Sequence, residues 1–260
     1  MQFHKYHGAG NDFILVDARS DASISLSEQG INKICDRHFG IGADGLMLLL
    51  PSEEFDFRMK YFNSDGREGT MCGNGGRCIT AFAKSLGINK HNFKFEAIDG
   101  VHYSEYLLDN SISLKMNDVK IVRRFPDGVF CDTGSPHFVF LHPSPHKADM
   151  ADYGKTFRFD SRFGSGGANV NAISFNENNI TIATYERGVE AETLSCGTGA
   201  VAAAIAVSAI SEKTFDEYLV NAKGGLLSVK LKQDKEGNYF NIFLSGPAEF
   251  IFKGEILILQ

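Results

Sequence analysis

Two of the five cysteines in this 260-residue chain stand directly before a Gly-x-Gly step. Cys72 lies in Thr70-Met71-Cys72-Gly73-Asn74-Gly75-Gly76-Arg77-Cys78, and Cys196 lies in Leu194-Ser195-Cys196-Gly197-Thr198-Gly199-Ala200. Each motif runs into an apolar, alanine-bearing segment, Arg77 to Leu86 and Ala200 to Ile210, whose composition and length predict a buried helix. A cysteine one step ahead of such a helix sits at the positive end of its dipole. Free amide N–H groups there stabilise a thiolate and can also hold a carboxylate. Two thiols facing one pocket are suited to proton transfer on a carbon acid. One thiolate removes the proton of a chiral α-carbon, and the other thiol delivers a proton to the opposite face. The centre is inverted with no metal and no organic cofactor. A thiol pKa of about 8.5, lowered locally, fits such exchange near neutral pH. An α-proton is weakly acidic, so charge developing on the α-carboxylate needs stabilising. The amides of Gly73-Asn74-Gly75 and Gly197-Thr198-Gly199 are placed for that.

The elements that position these motifs are also doubled. Gly10 and Cys72 are 62 positions apart (72 − 10), and so are Gly134 and Cys196 (196 − 134). Gly10-Asn11-Asp12-Phe13-Ile14-Leu15 precedes the first motif, and Gly134-Ser135-Pro136-His137-Phe138-Val139-Phe140 precedes the second. After each helix come strands broken by a glycine turn, Asp99-Gly100 and Gly224-Gly225. Such an offset, about 124 residues, predicts a duplicated pair of like domains. A pseudo-twofold would bring Cys72 and Cys196 face to face across a cleft. The expected class is α+β, strand-rich, with one buried helix central to each half. The expected domains are 1–116, with the tail 250–260 returning to it as a last strand (Phe250 to Leu259), and 117–249.

Within the first half the pattern predicts strands at 13–17, 46–50, 55–62, 93–97, 101–107 and 112–116. A helix from a capping box at Ser25-Leu26-Ser27-Glu28 to about His38 lies among them. The second half is expected to hold strands at 129–131, 137–141, 180–185, 218–222, 226–231 and 239–244. A weak helix falls around 148–153, and 164–171 reads as a glycine- and asparagine-rich loop. Gly40-Ile41-Gly42-Ala43-Asp44-Gly45 matches a dinucleotide fingerprint in letters. A helix precedes it and a strand follows, the reverse of what that fingerprint needs. Asn63 and the pair Glu186-Arg187 end matching strands ahead of the two cysteines, which places them at the cleft mouth. For Glu186-Arg187 the plain alternative is a surface ion pair. For Asn11, Asn63, Asn169 and Asn171 it is turn geometry, and for His137 a core position.

The totals exclude several classes. A net charge of −6 and a pI near 5.8 disfavour nucleic acid and anionic membrane as partners. No apolar run approaches the roughly 20 residues of a membrane span, and Met1 to Gly8 lacks a signal peptide's apolar core. A cytoplasmic protein is expected. Five cysteines, an odd number, suggest reduced thiols. Cys35, Cys78 and Cys131 read as packed small hydrophobes. With no Cys-x-x-Cys, no zinc site is expected.

Gly8-Ala9-Gly10-Asn11-Asp12-Phe13, Phe62-Asn63-Ser64-Asp65-Gly66, Cys72 to Cys78, Tyr185-Glu186-Arg187-Gly188 and Cys196-Gly197-Thr198-Gly199 together resemble the diaminopimelate epimerases. The likeness runs in order along nearly the whole chain. It implies a PLP-independent enzyme interconverting LL- and meso-2,6-diaminopimelate, on the way to lysine and peptidoglycan precursors, and a homodimer. It implies two similar domains, each a barrel-like sheet around a central helix, with Cys72 and Cys196 as the acid/base pair. Asn11, Asn63, Asn169 and Arg187 would hold substrate, Glu186 would meet an ammonium group, and Gly73-Asn74 and Gly197-Thr198 would cradle carboxylate. His137 and Glu186 would adjust the thiol pKa values. Many members carry Asn where Ser135 stands and Gln where Gly45 stands. Two other readings stay open: another PLP-independent racemase of the proline racemase type, and a redox module using the cysteines as a switchable disulfide. Excess reductant separates the last, since racemisation survives it.

Overall fold

The computed structural model describes residues 1–20 and 26–257. In chain order the elements are β1 (Gln2–Gly8), β2 (Asn11–Asp17), α1 (Glu28–Cys35), β3 (Gly45–Leu50), β4 (Phe57–Asn63), β5 (Glu68–Gly69), α2 (Gly73–Ser85), β6 (Asn92–Ala97), β7 (Gly100–Tyr106) and β8 (Ile112–Lys115). Then follow β9 (Val122–Phe125), β10 (Gly128–Asp132), β11 (Pro136–Leu141), α3 (Met150–Phe157), β12 (Asn169–Asn176), β13 (Asn179–Glu186), β14 (Ala191–Thr193), α4 (Gly197–Ser211), β15 (Glu217–Ala222), β16 (Gly225–Gln233), β17 (Tyr239–Gly246) and β18 (Glu249–Glu255). The fold is α+β and strand-rich. Two compact units divide the chain, Met1–Leu114 with Pro247–Gln260, and Lys115–Gly246.

The first unit orders its strands β18-β1-β2-β3-β4-β6-β7-β8; β2/β3 and β4/β6 are parallel and the other neighbours antiparallel. The second runs β9-β10-β11-β12-β13-β15-β16-β17 with its parallel pairs, β11/β12 and β13/β15, in the same places. Even the register repeats. Phe13 pairs with Gly45, and His137 pairs with Asn169, each 124 positions later. The outermost strand of the first unit is β18, from the far end of the chain; in the second it is the local β9.

In each unit the cysteine-bearing helix packs on the inner face of the sheet. α4 carries no charged residue and is buried along nearly its whole length, as expected for a helix apolar on every side. It touches β10, β11, β12, β13, β15, β16 and β17, so that sheet curls around it. Its six alanines allow the strands to approach closely. α2 packs against β1, β2, β3 and β7 and buries Cys78, Ile79, Phe82 and Ala83. Among the described residues no helix is long and apolar enough to cross a membrane.

Several boundaries differ from the sequence reading. Both cysteine helices begin at the glycines, four and three residues earlier than expected, so each cysteine is itself the N-cap. α1 is capped by Ser27, whose hydroxyl accepts from the Gly30 amide; the expected cap, Ser25, lies outside the described residues. The helix stops at Cys35 because the Asp36 carboxylate takes the amides of His38 and Phe39 at 2.7 Å each. Asn169 to Asn171 is not loop but the start of β12. The last strand ends at Glu255; residues 258 and 259 of the expected strand are outside the described ones.

Candidate active site

Cys72 has extended backbone, and its sulfur accepts the Gly75 amide at 3.2 Å. The glycine is required there: a Cβ at Gly75 would lie 2.3 Å from the Met47 methyl and 3.0 Å from the Cys72 sulfur. The next residues, Gly73 and Asn74, are buried in the first turn. Asn74 is clamped from two sides. Its Oδ1 accepts from the Arg77 guanidinium at 2.8 Å, and its Nδ2 donates to Asn11 Oδ1 at 3.3 Å. Asn11 in turn donates to Asp44, which pairs with Arg37 at 2.7 Å. Arg37 also forks onto Asp12, and Lys5 closes that cluster at 2.7 Å from the same carboxylate. Burial would raise the Asp12 carboxyl, but Arg37 and Lys5 outweigh it and hold it at about 2.

Arg77 is fully buried, and its acceptors are the carbonyls of Gly73 and Pro247 and the Asn74 amide. Among the described residues no carboxylate pairs with it, so α2 carries an uncompensated cation within its first turn and a half.

Cys196 repeats the backbone but not the surroundings. Among the described residues the Cys196 side chain makes no cap bond to its helix; the Thr198 hydroxyl lies 3.4 Å from the sulfur. That hydroxyl is also 2.9 Å from Nε2 of His137, a fully buried ring on β11. Burial drives His137 down to about 3, with Arg187 adding to the effect, so the ring is neutral at ordinary pH. Asn171 donates to Nδ1 at 3.1 Å. Asn169 donates to the Ser135 hydroxyl at 2.9 Å and the Pro136 carbonyl at 3.0 Å. Its Oδ1 accepts the Arg187 amide at 2.7 Å, which fixes the turn that presents Arg187. The Arg187 side chain is exposed and reaches the Ser135 hydroxyl at 3.4 Å. Among the described residues no carboxylate pairs with the Arg187 guanidinium.

Of the residues singled out in the sequence, Asn11 and Asn74 are bonded to each other beside Cys72. Thr198, His137, Asn169 and the Arg187 backbone form one network at Cys196. Asn63 is exposed at the end of β4, where its Oδ1 accepts from Tyr61 at 2.9 Å. Glu186 ends β13. Gly45 has no room for a side chain, since a Cβ would lie 2.5 Å from both the Tyr61 ring and the Phe62 carbonyl; Tyr61 occupies that space. The other three cysteines are buried, and burial pushes the Cys35 thiol up to about 12 and raises Cys78 and Cys131 as well. Sequence reasoning missed Arg77, Asp44, Asn171 and Thr184. A residue-by-residue shift of 124 would have flagged two of them, because it aligns Met47 with Asn171 and Arg77 with Val201, polar against apolar.

A model of the diaminopimelate epimerase family matches residues 3–122 and 129–251. The chain belongs to the diaminopimelate epimerase family. It is 45% identical to the diaminopimelate epimerase of Flavobacterium psychrophilum over 98% of this chain and 100% of that one. Among solved structures it is similar to a Bacillus anthracis phenazine biosynthesis protein of the PhzF family, with TM-score 0.78, 16% identity and 99% of each chain covered. It is also similar to a probable proline racemase from Agrobacterium radiobacter, with TM-score 0.67, 13% identity, and 99% and 93% covered. At such identities the structural likeness shows the fold alone. The full-length match to the epimerase family sets the chain apart from those neighbours.

Proposed function

We propose that this chain is a PLP-independent isomerase that interconverts LL- and meso-2,6-diaminopimelate, with Cys72 and Cys196 as its two acid/base residues. In this reading one sulfur, as thiolate, takes the α-proton from one face while the other, as thiol, supplies a proton to the opposite face. Electrons left on the α-carbon spread into its carboxylate. The amides at Gly73-Asn74 and Gly197-Thr198, at the starts of two buried helices, stabilise that charge as it forms. The observation that carries the reading is the contrast among the five thiols. Two cap helix N-termini with glycine first turns, and three are sunk in apolar packing.

Substrate contacts follow from what each side chain offers. Arg187 presents an exposed planar fork suited to a carboxylate, and Glu186 an acceptor for an ammonium group. Asn11, Asn63 and Asn169 supply amides at the strand ends, held in place by their protein partners. His137, acting on Cys196, and Glu186 adjust the thiols. The reading includes a cytoplasmic homodimer with diaminopimelate as its small-molecule partner. The test is to supply LL-diaminopimelate and follow the meso isomer by chiral chromatography. Appearance of meso product in excess reductant supports the assignment; none with this substrate, but turnover of proline, would replace it.

A further inference from the structure

The network around Cys196 has a direction, and Asn171 sets it. The Asn171 amide is oriented by two contacts independent of the histidine. Its Oδ1 accepts from the Thr184 hydroxyl at 2.9 Å, and its Nδ2 donates to the Phe138 carbonyl at 3.1 Å. Turning the amide over would set its oxygen against that carbonyl, and Asn171 and Thr184 are both buried from water. The Nδ2 that faces His137 Nδ1 at 3.1 Å therefore meets a lone pair. A neutral imidazole carries one N–H, so the proton is on Nε2. Asn169 Nδ2 is 3.3 Å from Nε2, but its two protons go to Ser135 and Pro136, and two N–H groups make no bond.

Nε2–H then donates to the Thr198 oxygen at 2.9 Å. The proton of Thr198 remains to be placed, and the Cys196 sulfur is 3.4 Å from that oxygen. We propose that Asn171 is a positioning residue for Cys196: it locks His137 in the Nε2–H tautomer, so that donation runs from His137 through the Thr198 hydroxyl to the sulfur. The proposal rests on Cys196 being one of the acid/base residues.

Two consequences follow. A neutral chain of donors favours the thiolate over the thiol at Cys196. The same chain bars His137 from receiving the Cys196 proton through Thr198, because that transfer needs a lone pair on Nε2. No proton passes to the ring; it acts by orientation. The titratable groups on the surrounding elements are Cys131 and Asp132 on β10, Glu186 at the end of β13, Arg187 just beyond it, and Cys196 itself. In the first unit the positions 124 earlier than His137 and Asn171 are Phe13 and Met47, so the device belongs to one half only.

The test uses resting protein without substrate. Nitrogen-15 NMR of the histidine ring should show a pyrrole-type Nε2 and a pyridine-type Nδ1 for His137; the reverse pattern overturns the proposal. The second arm follows alkylation of Cys72 and Cys196 against pH by peptide mass spectrometry. Thr198→Val and Asn171→Met should each slow Cys196 alkylation at pH 7 by about fivefold or more and raise its midpoint. Cys72 serves as the internal control and should not move. Thr198→Ser, which keeps the hydroxyl, should behave as the parent. A midpoint at Cys196 that stays put in Thr198→Val overturns the proposal, as does an equal shift at both cysteines. An active Cys196→Ala enzyme would instead sink the catalytic assignment, and leaves the tautomer measurement standing on its own.

Discussion

The two cysteine-bearing helix starts share a backbone and almost nothing else. Cys72 receives a main-chain amide at 3.2 Å and has a buried guanidinium five residues on. Cys196 lies 3.4 Å from a hydroxyl that in turn meets a buried neutral imidazole at 2.9 Å. The supporting strands diverge in the same way. Lys5, Asp12 and Asp44 anchor Asn11 in the first unit; 124 positions later stand Val129, Pro136 and Ala168. Phe13 and Met47 pack where the second unit has His137 and Asn171. What the duplication retained is the cysteine, the glycines that let helix and strand touch, and the strand register. What it changed is how each sulfur is held. Helix geometry thus supplies the shared cysteine position, and the neighbours hold each sulfur in a different way.

If both positions are needed, damage to either should be equally complete. Cys72→Ala and Cys196→Ala should each lower epimerisation by about 10³-fold or more, roughly 4 kcal/mol. Cys35→Ala, Cys78→Ala and Cys131→Ala should keep activity apart from packing losses. A turnover assay on the five variants decides, and an active Cys72→Ala enzyme would break the comparison at its base.

The second expectation separates the units by acid. Asp12 is held at about 2 against an ordinary 3.8, so its folded-state value is depressed. Its contribution, on the order of 2 kcal/mol, is present above pH 4 and lost as pH falls toward 2. His137 is depressed too, to about 3 from 6.5. For a base that means a penalty growing from pH 6.5 downward, because only the unfolded ring binds the proton. Denaturant unfolding of the parent and Asp12→Asn should therefore differ by a constant amount from pH 7 to 5, begin to converge below pH 4 and meet near pH 2. A gap undiminished at pH 2 would contradict the ion-pair account.

Asn63 and Arg187 occupy matching positions, and only the second carries charge. Arg187→Lys should lower kcat/KM at least about tenfold, near 1.4 kcal/mol, since an ammonium cannot reproduce the fork. An unchanged value would remove Arg187 from substrate binding. The smallest effect concerns Arg77. Arg77→Met should raise the alkylation midpoint of Cys72 by about one unit while leaving Cys196 alone. Arg77→Lys should restore most of that shift. Equal movement at both sulfurs would mean a general loosening of the fold.

These contrasts also mark how far the sequence could be read. The doubled Cys-Gly-x-Gly motif and the repeated 62-residue spacing were visible because they are local. The central strands were visible because their apolar alternation is strong. β1 was missed: His4, Lys5 and His7 disguise it, and its partner β18 comes from the other end of the chain. β9 was missed for a similar reason, with Arg123 and Arg124 at its centre. Asn169 and Asn171 looked like loop residues because asparagine favours turns. In the fold their amides are spent on buried tertiary bonds, which override that preference. The site followed the same rule. The two N-cap cysteines could be read from the motif, whereas the side chains packed around them, Arg77, Asn171 and Thr184, depend on contacts that only the folded sheet creates.

The central claim is that two separate bases serve the two faces of one carbon, and hydrogen isotope transfer tests it most directly. In D2O, early product should carry deuterium at the inverted α-carbon, because the thiol that delivers the proton has exchanged with solvent. Substrate recovered at the same time should remain largely unlabelled, since the base that removed its hydrogen tends to return it. Substantial original hydrogen in the first product formed would mean one base working on both faces, and would contradict the account.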